Sequence, residues 1–271
     1  MSLSLFRAFI HSSLINKDKY RDLYRQSPDL KMIKTAVAMA AVLNFKNMNI
    51  DYIGKIHTDF PDKFGLPRQS GVVKSVKGVI TFYPPYNQPE AFKGLEGFDY
   101  IWILFRFDRA VRPGFNATVK PPRLGGNVSM GVFATRSPFR PNNIGLTCGK
   151  IEKIIIGENG PEIHVSGVDM ADKTPVIDIK PYLPYADAYP DAGGGFTDNV
   201  SIDIKDVIIP DEYLEMIPEN KVTCLKEVLM QDPRPGYKRE DDQVYGMYFL
   251  NINVRFKYEE NIIKVIDVTR T

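Results

Sequence analysis

The chain has 271 residues, 44% of them apolar and including 16 Phe and 14 Tyr, which is ample for a packed core and excludes wholesale disorder. A net charge of +2 does not mark a general polyanion binder, so any nucleic-acid site must be a local patch. Cys148 and Cys224 are too few for a disulfide framework, and His11, His57 and His164 stand apart, so no metal is expected and a reducing cytoplasm fits best.

Residues 1–47 differ from everything after them. Leu3, Phe6, Phe9, Ile10 and Leu14 fall near helical spacing, and Met32 to Leu43 is Ala-rich and helix-prone. That second run is shorter than the roughly 20 apolar residues a bilayer requires, so no membrane partner is expected. The segment reads either as one or two amphipathic helices packed on the body or as a translated upstream extension. From Asn49 onward, short β-rich runs alternate with turns. Strands are expected at Ile50–Ile56, Val72–Val76, Gly78–Tyr83 and Tyr100–Phe107, the last being the most apolar run of the chain. A short buried strand is expected at Val132–Ala134, and a hairpin joins Ile151–Ile156 to Glu162–Val168 through Glu158-Asn159-Gly160. Val176–Ile179 is a further strand, with Asp178 and Lys180 expected on the opposite face from Val176 and Ile179. Strand-like Val200–Ile209 follows Gly193-Gly194-Gly195. One helix then opens at Pro218-Glu219, with Val222, Leu225, Val228 and Leu229 as its apolar stripe. Strands at Tyr245–Phe256 and Ile262–Val268 end the chain. Many short strands with few helices predict a mostly β protein, a small barrel (1–47 extension, 48–205 barrel) with a C-terminal α+β appendage at 206–271.

Chemistry concentrates in Met130 to Ile151. Pro138 and Pro141 fix φ and stiffen a loop that carries Arg136 and Arg140. From Lys120 through Lys150 there are five basic residues and no Asp or Glu. Such a one-signed field suits an anionic ligand, though a solvated, proline-stiffened turn would look the same. Asp169, Asp172 and Asp178 form a carboxylate group suited to a cation or to general-base work, or else cap turns. Neither G-x-G-x-x-G opening a helix nor G-x-x-x-x-G-K-[ST] occurs, so a Rossmann or P-loop reading has no support. No histidine sits in a recognisable nucleophile context.

Five runs together resemble the TrmO family: Pro67-Arg68-Gln69-Ser70-Gly71, Pro121 to Asn127, Gly131 to Gly145, Asp172 to Tyr185, and Gln231-Asp232-Pro233-Arg234-Pro235. The resemblance covers about Met48 to the C-terminus. It implies a non-Rossmann β-barrel methyltransferase that uses S-adenosyl-L-methionine to methylate N6 of threonylcarbamoyladenosine in the anticodon loop of threonine tRNA. It also implies a homodimer with the cofactor near the subunit interface. The implied cofactor residues are Pro67, Arg68, Gln69, Asp108, Arg109, Arg136, Leu146, Asp172, Lys173, Thr174 and Pro175. Asp169, Asp172 and Asp178 are the candidate bases. Arg140, Tyr182 and Arg234 are candidate substrate contacts, with Phe139 and Tyr185 as further stacking rings and Tyr237, Lys238 and Arg239 as a second tRNA handhold. The chain departs from the family's usual Gly at Lys173, its Pro at Asn143 and its His-Gln-like pair at Asp108-Arg109. Two other readings stay open, a non-catalytic RNA- or nucleoside-binding barrel and a methyltransferase with a different acceptor. Saturable cofactor binding separates the first from the enzyme.

Overall fold

Tyr100–Arg106 is the stave from which the rest of the barrel can be followed. Its odd positions Ile101, Ile103 and Phe105 are buried, while Trp102 and Leu104 face outward, the alternation that a strand buried on one face requires. The computed structural model describes residues 49–124, 128–199, 204–234 and 243–271. The helices expected within 1–47, the Gly125–Asn127 segment and the Tyr237–Arg239 cluster lie outside them.

Strands β1 (Gly54–Thr58), β2 (Lys77–Phe82), β3 (Tyr100–Arg106), β6 (Ile144–Gly157), β7 (Gly160–Ser166) and β8 (Thr174–Pro181) close a barrel in the order β1-β2-β7-β6-β3-β8. All six pairings are antiparallel. Closure removes every free edge. Ile56, Ile80, Ile101, Ile103, Ile163, Val165 and Val176 are essentially inaccessible, each contributing roughly 1.5–3 kcal/mol on burial. Small residues opposite large ones let the barrel close. A Cβ on Gly145 would lie 2.2 Å from the ring of Phe105, and one on Gly54 would lie 2.1 Å from the carbonyl oxygen of Thr81.

Two short strands, β4 (Thr118–Val119) and β5 (Met130–Gly131), pair within the long β3–β6 connection. The C-terminal sheet has the order β10-β11-β12-β9, from β9 (Asp206–Ile208), β10 (Tyr245–Phe249), β11 (Ile252–Glu259) and β12 (Ile262–Arg270), with β9 and β12 parallel. Its long helix, Glu219–Met230, buries Cys224, Leu225, Val228 and Leu229. Barrel and sheet share one apolar cluster. Lys221 pairs with Asp59 across them, and the N–H of Leu250 donates to the carbonyl of Asp59 at 2.7 Å.

Three expectations change. Val132–Ala134 is a 3-10 turn that buries Val132 and exposes Phe133; three apolar residues cannot distinguish strand from turn. Val72–Val76 has no strand pairing and packs its valines as a loop. The run Tyr245–Phe256 is a hairpin, turned at Leu250 with φ +53. The facing expected at Val176–Ile179 is also reached differently, through a bulge, because strict alternation would put Val176 on the face of Asp178. Leu104 faces Asp178 and Phe105 faces Val176, so Ile177 is an extra residue and both Val176 and Ile179 turn toward the core.

Candidate functional site

Antiparallel closure decides where chemistry gathers. Strands β1, β3 and β7 arrive at one end of the barrel, and β2, β6 and β8 leave from it. Loops 59–76, 107–143 and 167–173 therefore share that mouth. They hold Pro67 to Gln69, Asp108, Arg109, Arg136, Arg140, Asp169, Asp172 and Lys173.

Specific bonds knit these loops. Arg109, from the turn Asp108–Ala110, donates to the carbonyls of Pro61 and Asp172 and so ties all three loops together. Nη1 of Arg136 donates to Oε1 of Gln69 at 2.8 Å. The hydroxyl of Thr147, buried inside the barrel, donates to Asp169. Burial pushes the Asp169 carboxyl above the ordinary carboxylate range, and the Thr147 hydroxyl and the Arg136 charge pull partly the other way. A carboxylate held up in this manner is a stronger proton acceptor than a solvated one.

The Asp172 segment is bolted to β1. The N–H of Asp172 donates to Phe60 O and that of Lys173 to Ile56 O, both at 2.8 Å. Oδ1 of Asp172 accepts from the Thr58 N–H at 3.3 Å and lies 3.2 Å from Nδ1 of His57. Thr174 is buried and Pro175 partly so. Lys173 has φ +64, a left-handed position that favours glycine. Leu146, two residues into β6 and 54% exposed, leaves an apolar face beside this mouth. The thiols are poor nucleophiles: burial raises the pKa of Cys148 and pushes that of Cys224 up to about 11.

Several expected site residues lie elsewhere or are already engaged. Asp178 sits on the outer wall of β8, 2.8 Å from Nζ of Lys180, so the three aspartates do not form one group. Tyr182 follows β8 at the opposite end of the barrel, packed on Tyr100 and Trp102, and Tyr185 lies beyond it in the short helix Pro184–Asp187. Nη2 of Arg68 binds the carbonyls of Asp232 and Arg234 at 3.0 and 3.1 Å. Nη1 of Arg140 binds Thr135 O at 2.8 Å. One face of Phe139 is covered by the Arg112 guanidinium at 3.6 Å. Arg234 is only 2% exposed, clamped by Asp232 at 2.7 and 2.9 Å and stacked on Tyr258; it braces the appendage, which corrects its expected place on an RNA surface. Thr147 and His57 were not anticipated. Thr147 was legible as the inward polar position between Gly145 and Gly149, whereas His57 needed the 115-residue separation from Asp172 to be closed.

The signature described as the tRNA-methyltransferase O N-terminal domain matches residues 55–188, and the TrmO C-terminal domain matches residues 211–271. The chain belongs to the TrmO family. It is 39% identical over 219 residues to tRNA (adenine(37)-N6)-methyltransferase of Escherichia coli, covering 78% of this chain and 93% of that protein. A Pseudomonas aeruginosa protein assigned as an S-adenosylmethionine-dependent methyltransferase is 36% identical over 228 residues, covering 81% of this chain and 97% of its own. The crystal structure of TrmO from Pseudomonas aeruginosa superposes with a TM-score of 0.67 at 33% identity, over 83% of this chain and 98% of that one. The two matched ranges take in the barrel from Lys55 onward, all three mouth loops and strands β10 to β12 of the C-terminal sheet. Among the described residues, no helix is long and apolar enough to cross a membrane and no cluster of ligating side chains could hold a metal.

Proposed function

We propose that the barrel mouth is the active site of an S-adenosylmethionine-dependent methyltransferase acting on N6 of adenine 37 in tRNA, as the name of the Escherichia coli relative states for that protein. The carrying observation is the convergence of Gln69, Arg136, Asp169 and Asp172 from three loops tied together by Arg109. The donor set suits the cofactor: Arg136 matches its carboxylate, Asp172 its cationic groups, and exposed Leu146 its adenine face. When bound, S-adenosylmethionine supplies a sulfonium methyl group open to in-line displacement.

The chain's own work is positioning and proton removal. Adenine N6 is a weak nucleophile because its lone pair is delocalised into the ring, so a nearby base assists. Asp169 fits that role better than Asp178, whose carboxylate is engaged by Lys180 on the outer wall. The anticodon-loop adenine is partly unstacked and cheap to extract into such a mouth. We further infer that it carries a threonylcarbamoyl group whose carboxylate is read by Arg140. The protein would work in the cytoplasm as a homodimer, and exposed Tyr100 and Leu146 on the outer wall offer apolar surface for a second copy. Residues 48–205 are the catalytic body in this reading and 206–271 its appendage.

Tritium transfer from labelled S-adenosylmethionine to threonine tRNA, with and without its threonylcarbamoyl group, tests the whole. Transfer to the modified tRNA alone is expected. Transfer to neither, with the cofactor still bound, would send the acceptor elsewhere.

A further inference from the structure

We propose that Phe115 and Phe133 form a stacking platform for an unpaired nucleobase of the RNA loop beside the methylated adenine, a reading that rests on the function proposed above. Both rings belong to the long β3–β6 connection. The β4–β5 ribbon and the bond from the Val132 N–H to Ala117 O at 2.9 Å hold their two segments side by side. Val132 is buried and fixes the turn from which Phe133 projects. The ring centroids are 6.5 Å apart with planes 27° from parallel. The rings are 63% and 73% exposed.

Single exposed apolar residues need no explanation, but a pair of large, co-oriented rings left open to solvent does. Their separation lies within the about 4.5–7 Å of an ordinary aromatic pair, so the two rings already pack on each other and present their outer faces to solvent. A planar base can therefore lie on the open face of either ring. The surrounding charge selects the occupant. From Arg109 to Ile151 the sequence has seven basic residues (Arg109, Arg112, Lys120, Arg123, Arg136, Arg140 and Lys150) and no Asp or Glu. Exposed aromatics set in a one-signed basic segment are what single-stranded nucleic acid uses, bases on the rings and phosphates on the cations. A second copy of this chain would bring the same positive segment against itself. Arg112 lies on Phe139 at 3.6 Å, so that ring is partly covered and leaves the platform to Phe115 and Phe133. Arg136, three residues beyond Phe133, places the platform next to the mouth.

The test uses the full-length protein and an anticodon stem-loop RNA with 2-aminopurine at each position flanking the target adenine. With the parent protein, fluorescence at one flanking position should be quenched on binding. Phe115→Leu and Phe133→Leu, which keep apolar volume but lose the π face, should each weaken stem-loop affinity by roughly fivefold to a hundredfold, while S-adenosylmethionine affinity stays within about twofold. Phe133→Trp should retain RNA affinity. Unchanged RNA affinity in both Leu variants would overturn the platform. So would a change in sedimentation of the Leu variants with no change in RNA binding, which would assign the rings to contact between copies. Failure of the parent protein to transfer methyl groups, with stem-loop binding that still weakens in the Leu variants, would reject the methylation reading and uphold the platform.

Discussion

Asn143 closes the neck of the long arginine loop, and replacing it by proline should damage this chain. Its φ is +46, whereas a proline ring holds φ near about −65°. Its N–H donates to Arg140 O at 3.2 Å, its Nδ2 donates to Pro138 O at 2.8 Å, and its carbonyl accepts the Phe107 N–H at 2.8 Å. Asn143→Pro removes the first two bonds, about 1 kcal/mol each. Forcing the incompatible backbone adds on the order of 1–3 kcal/mol. The expected loss is therefore about 3–5 kcal/mol if the neck keeps its shape. Urea unfolding should show it as a lower midpoint at unchanged slope. Asn143→Gly tolerates the positive φ and loses only the Nδ2 bond, so it should cost about 1 kcal/mol. A proline variant as stable as its parent, with cofactor affinity intact, would refute the claim that this neck depends on the left-handed residue.

Lys173→Gly should stabilise the protein by roughly 0.5–1 kcal/mol, because relief of the left-handed strain exceeds the added unfolded-chain entropy; a lower calorimetric Tm would count against it. Asp169→Asn removes a carboxyl that holds its proton to higher pH folded than unfolded, so the parent loses stability as pH rises through the raised folded pKa. The variant should thus gain on the parent near neutral pH and not below the unfolded value of about 3.9, and denaturation at the two pH values checks this. Arg234→Ala breaks the buried Arg234–Asp232 ion pair and should cost up to about 3–5 kcal/mol; weakened RNA binding at full stability would instead return Arg234 to the surface. Arg136→Gln removes a charge that lowers the Asp169 pKa, so the acidic limb of kcat against pH, at saturating cofactor, should move to higher pH. An unmoved limb would show that Asp169 is not the titrating base.

Local periodicity made much of the fold legible, and long-range contacts hid the rest. Tyr100–Phe107 and the Glu219 helix carry their own patterns and end within a residue of expectation. The turn at Leu250 has neither Gly nor Pro, and it is held by the carbonyl of Asp59, 191 positions away. No local reading of Tyr245–Phe256 contains that contact. The bulge at Ile177 is similar, since alternation alone cannot turn both Val176 and Ile179 inward. The mouth of the barrel was legible as motifs but not as an address: only antiparallel closure sends Asp169 and Asp172 to one end and Tyr182 to the other.

Arginines illustrate the limit most sharply, because in sequence each looks equally fit to hold an anion. Arg109 spends its donors on two backbone carbonyls, Arg68 uses a nitrogen on two more, and Arg140 is bonded within its own loop. Arg234 is neutralised in the interior by Asp232. Arg136 differs in kind: it bonds the neutral side-chain oxygen of Gln69, and it is exposed. A ligand carboxylate can displace a neutral amide from a guanidinium with a gain in charge-assisted bonding, whereas displacing Asp232 from Arg234 would break a buried ion pair. The physical distinction between a binding arginine and a bracing one is thus what each must give up to meet a ligand. By that measure Arg136 is the residue on which the cofactor's carboxylate should settle.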